Sequence, residues 1–311
     1  MSHQPRRPAL SIVLIPALAW LIVACSSAGA GVSGGPSGGP SGTPSTIPTQ
    51  TPGGSPPGDR IDHLTGATDI LLRYDEGGGF MMPSFTASMT PHFTLYGDGT
   101  VIFRNPAMEI PPMQGSVAVL NPLRTARLSE EQIQDLLVFA LGEGGLAAAR
   151  PEYRNDMVAD ASTATFTVNA AGISKSVSIY ALGMEVQGLA DAPARAAFAK
   201  LAARLTDFDQ GGSFATNVYT PTAFRVTLFE SPGVVAPDVR AWPWDDLAVT
   251  DFKPSADPNG LQFPHRTMTV EDLAPLKVTD FQGGFQNLVI TGPDGKLYSL
   301  SARPILPEES E

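Results

Sequence analysis

Between Ser26 and Gly58, 28 of 33 residues are Gly, Ser, Pro or Thr and none is charged. No part of this tract can bury enough apolar surface to offset the entropy of ordering it, so whatever folds begins after it, near Asp59. The tract reads as a linker. Proline recurs at Pro36, Pro40, Pro44, Pro48, Pro52 and Pro56, which stiffens it. As a coil its ends lie on the order of 30 Å apart, and fully extended about 110 Å. A folded part of about 250 residues buries about 70 to 75% of its unfolded surface. It must do so without an internal disulfide, because Cys25 is the one cysteine of the chain. Inside the linker, Gly31-Val-Ser33-Gly-Gly35 fits a nucleophile-elbow pattern and Gly29-Ala-Gly31-Val-Ser-Gly34 a dinucleotide-binding one. Both patterns need a strand before and a helix after, and this composition supplies neither.

Ahead of the linker, Arg6 and Arg7 precede an apolar run from Pro8 to Ala24, broken by Pro16. Basic start, apolar middle and small residues at the end are the order of a secretory signal peptide, here residues 1–24. The run is short for a membrane span. Pro5 and Pro8 flank the arginine pair, which favours general secretion over the twin-arginine route. The run ends in Leu21-Ile22-Val23-Ala24-Cys25, which resembles the lipobox of bacterial lipoproteins. The resemblance implies that Cys25 is lipidated on sulfur, becomes the mature N-terminus and holds the protein to the extracytoplasmic face of a membrane. Several acyl chains make such an anchor durable where one chain is marginal.

Without residues 1–24 the chain carries 18 basic and 31 acidic side chains, a formal charge of −13. That argues against nucleic acid as a partner, since its affinity comes from Lys and Arg on phosphate. It also disfavours adsorption to anionic lipid, leaving the lipid at Cys25 as the membrane contact.

Beyond the linker the sequence predicts an α+β fold, mainly antiparallel hairpins with two to three packed helices. Asp69–Asp75 is a strand candidate. Pro91–Arg104 alternates apolar and polar on both sides of Asp98-Gly99, a hairpin turn signal, and Pro106–Pro122 reads as a long excursion. Ser129 and Gln132 form a capping box that opens a helix to about Leu141, with Ile133, Leu136, Leu137, Ala140 and Leu141 on one face. A second hairpin joins Ser162–Ala170 to Ile173–Leu182, with Thr165, Thr167, Ser176 and Ser178 on its polar face. Asp191 is placed to cap a second helix with Pro193 in its first turn and Phe198, Leu201, Ala202 and Leu205 as its buried stripe. Asp207–Thr216 reads as a boundary, dividing residues 59–210 from a β-rich part at 211–311. There follow strands at Ala223–Glu230 and Asp246–Phe252, a short helix capped by Thr269, a hairpin at Phe285–Thr291 and Lys296–Ala302, and an acidic tail. Leu128-Ser-Glu-Glu-Gln-Ile133 aligns with Met268-Thr-Val-Glu-Asp-Leu273, which leaves open two similar halves.

The run Phe93–Val101, the Leu-Ser-Glu-Glu-Gln helix start and the ending Arg303-Pro-Ile-Leu-Pro resemble exported bacterial lipoproteins of unassigned activity, over about residues 65 to 307. The resemblance implies no catalytic chemistry. Nor do the residues point to any: His63, His92 and His265 have no metal-ligand spacing, and Asp207/Asp209 and Asp245/Asp246 fit turns and caps. Asp207-x-Asp209-x-Gly211 starts like a calcium loop, but Val218 stands where the bidentate Glu is needed. Met81, Met82, Met89, Met108 and Met113 with His92 would suit Cu(I), though gap-filling core Met is the simpler reading. Trp242 and Trp244 are the candidate partner-binding pair, able to present rings to a glycan or an envelope protein, though core packing in a region poor in other large residues is the simpler reading. Trp242 is expected to be the more buried, since Val234 and Val235 precede it and Trp244 runs into Asp245-Asp246. No catalytic residue, metal site or cofactor is assigned. The chain reads as a lipid-anchored, non-enzymatic binding module, with copper binding and envelope hydrolysis as the competing classes.

Overall fold

The computed structural model describes residues 60–104, 113–184, 188–233, 236–255 and 262–309. Cys25, the linker with its two patterns, Met108, Val234 and Val235 lie outside the described residues.

Local signals place most elements. The strand β1 (Ile70–Gly77), a helix α1 (Pro83–Ser88), and the hairpin strands β2 (Phe93–Tyr96) and β3 (Thr100–Phe103) come first. At the hairpin turn Gly99 takes φ of 88°, and its Cα lies so close to the Leu128 carbonyl that an added Cβ would stand 2.6 Å from it, so only glycine fits. The Asp98 carboxylate secures the turn by accepting from the Thr100 amide at 2.9 Å and from the Arg127 guanidinium at 2.8 Å. Within the expected excursion lie two short strands, β4 (Met113–Gln114) and β5 (Val117–Val119). Next come β6 (Arg124–Arg127) and α2 (Glu130–Leu141), whose capping box is formed as predicted: the Gln132 amide donates to Ser129 Oγ, and the Ser129 amide to Gln132 Oε1.

After β7 (Glu152–Tyr153), the hairpin β8 (Thr163–Ala170) and β9 (Ile173–Tyr180) leads to α3 (Ala192–Thr206). Asp191 does not cap α3 through its side chain; it accepts instead from Arg195 Nε at 3.1 Å. Arg195 is fully buried, and its other two nitrogens donate to the carbonyls of Tyr180 and Arg154 at 3.0 and 2.8 Å. This side chain, absent from the expected stripe, is bonded on every nitrogen, which is what a buried charge requires.

The later elements are β10 (Asn217–Val218), β11 (Phe224–Glu230), β12 (Arg240–Ala241), β13 (His265–Met268), α4 (Val270–Leu273), β14 (Phe285–Thr291) and β15 (Leu297–Pro304). The expected strand at Asp246–Phe252 is instead a 3₁₀ turn over Val249–Asp251. The Asp251 carboxylate accepts the Ala248 amide at 2.8 Å, a local bond that competes with ladder pairing.

Two sheets result. The first runs β10-β6-β3-β2-β1-β8-β9-β7 and the second β13-β11-β15-β14-β5-β4, with β12 beside β14. Pairing is antiparallel except β7 with β9 and β12 with β14. The architecture is α+β with four α-helices among the described residues; the six-residue α1 was not foreseen. Each sheet holds strands from both sides of the 210/211 boundary, since β10 joins the first and β4–β5 join the second. In the first sheet the hairpin β8–β9 attaches to β1 through its leading strand, whereas β14–β15 attaches to β11 through its trailing strand, so the strand orders differ.

Helices α2 and α3 cover one face of the first sheet, with Ile133, Leu136, Leu137, Phe198 and Leu201 in its largest core. Tyr96 and Ile102, on its other face by the period of two along a strand, pack with Leu123 and Leu306 in a small third core. Glu308 and Glu309 of the acidic tail are largely buried. Glu308 pairs with Arg73 and accepts from the Tyr96 hydroxyl at 2.5 Å, both in the first sheet. Glu309 accepts from Arg303 at 2.6 and 2.7 Å and pairs with Arg225 at 3.2 Å, both in the second. Adjacent glutamates thus clasp the two sheets together.

Candidate functional site

The tryptophans form an edge-to-face pair with centroids 5.2 Å apart. Trp244 is 9% exposed and Trp242 half-buried, the reverse of the expected order. The reason is that α4 folds back over Trp244: its indole N–H donates to the Asp272 carbonyl at 2.7 Å, while Trp242 donates to Leu247 at 2.8 Å. Trp244 belongs to the core of the second sheet and Trp242 packs against it.

Met81, Met82 and Met113 are exposed. Asp207 closes a turn by accepting from the Gly211 amide at 2.9 Å; Asp209 is buried and Val218 exposed. Among the described residues no three His, Cys, Asp or Glu side chains gather in a group that could hold a metal ion. His63 contacts Glu130 at 3.2 Å, and His265 sits in strand β13.

His92 belongs to a different cluster, which the sequence did not single out. It stacks on Tyr74 with centroids 5.1 Å apart, and Tyr74 stacks on Phe166. The Tyr74 hydroxyl donates to Glu76 at 2.8 Å, and Ser162 donates to the other Glu76 oxygen at 2.5 Å. Burial pushes Tyr74 upward, reinforced by its bond to Glu76. Burial also opposes the charge on Glu76, but the Ser162 and Tyr74 hydrogen bonds outweigh it and hold this carboxyl below its ordinary value. His92 is held below its ordinary value by burial and by the nearby charge of Arg104. Such a concentration of shifted groups is commoner at functional sites than elsewhere.

Arg104 is the cation of this cluster. It follows β3, and its amide donates to the His92 carbonyl at 2.9 Å. Its Nε donates to Thr90 Oγ1 at 3.3 Å and its Nη2 to the Thr90 carbonyl. Burial lowers its affinity for a proton, and the charges of Asp75 and Glu76 oppose that effect. Among the described residues no carboxylate reaches it within ion-pair distance, and its Nη1 makes no hydrogen bond.

Arg104 lines a cavity of about 200 Å³ between the sheets. Thr90, Asn121 and Gln286 bring further polar groups to its wall, and Leu120 and Leu123 bring apolar ones. Gln286 is itself buried and donates to Ser88. The volume corresponds to about seven water molecules or a ligand of about ten non-hydrogen atoms. The wall offers a planar cation, amides and a hydroxyl on a partly apolar surface, which is a setting for binding an anion rather than for acid–base turnover. No residue beside it carried a sequence signal. An arginine directly after a strand's closing phenylalanine, as Arg104 follows Phe103, is ordinary until the fold closes a second sheet over it.

No protein family, curated protein or solved structure matches this chain.

Proposed function

We propose that this chain is a lipid-tethered extracytoplasmic binding module that takes a small organic anion, of the carboxylate class, in the cavity at Arg104. The tether rests on Leu21–Cys25 and the charge-free linker behind it. The ligand class rests on one observation: a half-buried guanidinium lines the cavity and, among the described residues, one of its nitrogens is unbonded and no carboxylate is paired to it. A buried charge is tolerated when paired and hydrogen-bonded, and an arriving carboxylate would complete what Thr90 begins, through the fork geometry of arginine. The apolar wall at Leu120 and Leu123 selects a ligand with a short hydrocarbon body over a bare ion.

Calorimetric titration of the full chain with benzoate and with inorganic phosphate tests this. Benzoate should bind saturably and phosphate at least about tenfold more weakly, a difference of about 1.4 kcal/mol. Arg104→Gln should abolish benzoate binding and Arg104→Lys should weaken it, since lysine lacks the planar fork. Equal binding by wild type and Arg104→Gln would remove the site, and a preference for phosphate would replace the ligand class.

A further inference from the structure

A second surface lies at one end of the first sheet. Gly77 of β1 pairs with Thr163 of β8, and Thr163 pairs with Tyr180 of β9, so three neighbouring strands end in one row. The loops leaving that row carry exposed apolar side chains: Phe80 is 95% exposed and Met82 58%, after β1; Met157 is 78% exposed, before β8; Met184 is 52% exposed, after β9.

The described residues of these loops are held in place. Gly79 takes φ of 76°, and its Cα abuts the loop before β8 so closely that a Cβ would stand 2.9 Å from the Asp160 carbonyl. Asn155, 1% exposed, clamps the two methionine loops: its Nδ2 donates to the Met184 carbonyl at 3.1 Å and its Oδ1 accepts from the Met157 amide at 3.2 Å. The Tyr180 hydroxyl donates to the Val158 carbonyl and accepts from the Ala161 amide, both at 3.1 Å. A fold that spends a buried amide on presenting methionines to water has a surface to explain, since clustered exposed apolar side chains mark interaction sites. Methionine is also the side chain that adapts to varied apolar partners.

We propose that this end of the sheet docks a cationic amphipathic segment of a partner protein, its apolar face on Phe80, Met82, Met157 and Met184. The charge around the patch chooses the occupant. The loop that carries Met157 also exposes Asp156 and Asp160, Glu152 of β7 is exposed just before it, and the one guanidinium among them, Arg154, is drawn to Glu152 at 3.3 Å and Asp156 at 3.7 Å. The acidic rim, on a chain with a formal charge of −11, repels an anionic lipid surface and opposes like charge in a second copy. Lysine or arginine flanking an apolar stripe meets both the patch and its rim.

The probes are two synthetic amphipathic helical peptides of about 18 residues, identical except that one carries Lys and the other Glu on the polar face. Each is labelled and titrated with the full chain by fluorescence anisotropy. The Lys peptide should bind and the Glu peptide at least about tenfold more weakly. The variant Phe80→Ser with Met157→Ser leaves the charge unchanged and removes only exposed carbons, so its melting curve should match wild type while its affinity for the Lys peptide falls about tenfold. Unchanged affinity in that variant would mean attraction by net charge alone and would overturn the proposal, as would equal binding of both peptides. Sedimentation of the chain alone and with phosphatidylglycerol vesicles covers the other occupants. A dimer, or vesicle binding, that is lost in the variant would assign the patch to a second copy or to lipid and refute the partner segment.

Discussion

Glu309→Gln examines the clasp between the sheets with a change of one functional group. Burial works against the charge on Glu309, yet two hydrogen bonds from Arg303, with Arg225 adding its charge, hold this carboxyl at about 2 against an ordinary 4.5. The side chain is 20% exposed and that of Arg303 9%, so solvent screens the pair little. The folded-state value lies below the unfolded one, so the contribution to stability is complete above pH 4.5 and disappears as pH falls through 2. At about 1.36 kcal/mol per unit, it amounts to about 3 kcal/mol at neutral pH, and linkage leaves about 1.4 kcal/mol of it at pH 3. Glutamine keeps the shape and one acceptor but leaves the guanidinium of Arg303 without its counter-charge. Urea unfolding of wild type and Glu309→Gln at pH 7, 4 and 3 should therefore show a gap of about 3 kcal/mol that narrows with acid and closes near pH 2, at constant m value. The exposed Glu143→Gln supplies the control, with no more than about 0.5 kcal/mol at any pH. A gap under about 1 kcal/mol at neutral pH, or one that does not change with pH, would show that the C-terminal glutamates do not hold the sheets together.

Three further outcomes are expected. Arg195→Ala should cost about 3 to 5 kcal/mol in chemical unfolding, because it strips donors from two carbonyls and leaves Asp191 only its longer pair with Arg150 at 3.6 Å; a loss below about 1 kcal/mol would mean water replaces the guanidinium without penalty. Trp244→Ala should cost about 3 to 5 kcal/mol and Trp242→Ala about half of that, and with Trp20 replaced by Phe, iodide should quench the fluorescence of Trp242 more than that of Trp244. Cys25→Ser should move the protein from the membrane fraction to the soluble one or leave it unprocessed; unchanged fractionation and mobility would remove the tether from the proposed function.

What could be read from the chain alone was whatever neighbours in sequence decide. Asp98-Gly99 sets its hairpin because the backbone there needs a left-handed residue, and Ser129 with Gln132 starts α2 because both partners of the capping box lie within one turn. Thr269 caps α4 for the same reason. The faces of α2 and α3 followed from the 3.6-residue period, apart from Arg195. Alternation along β2 and β3 announced strands and which residues share a side, but not what covers that side. Thr94, Tyr96 and Ile102 are buried as well, Tyr96 and Ile102 against Leu123 and the C-terminal Leu306. The remaining surprises have the same origin. Glu308 read only as part of an acidic tail, and its partner Arg73 lies 235 positions away. Asp191 looked like a cap until Arg195 was found buried against it, and Trp244 looked exposed until α4 folded back over it. Arg104 bears no motif and gains its setting only where the two sheets enclose it. A capping box or a turn is specified by atoms a few bonds apart, so its free energy is written in adjacent letters. An ion pair or a cavity wall between sheets depends on which distant segments meet, and that is determined by the packing of the whole chain.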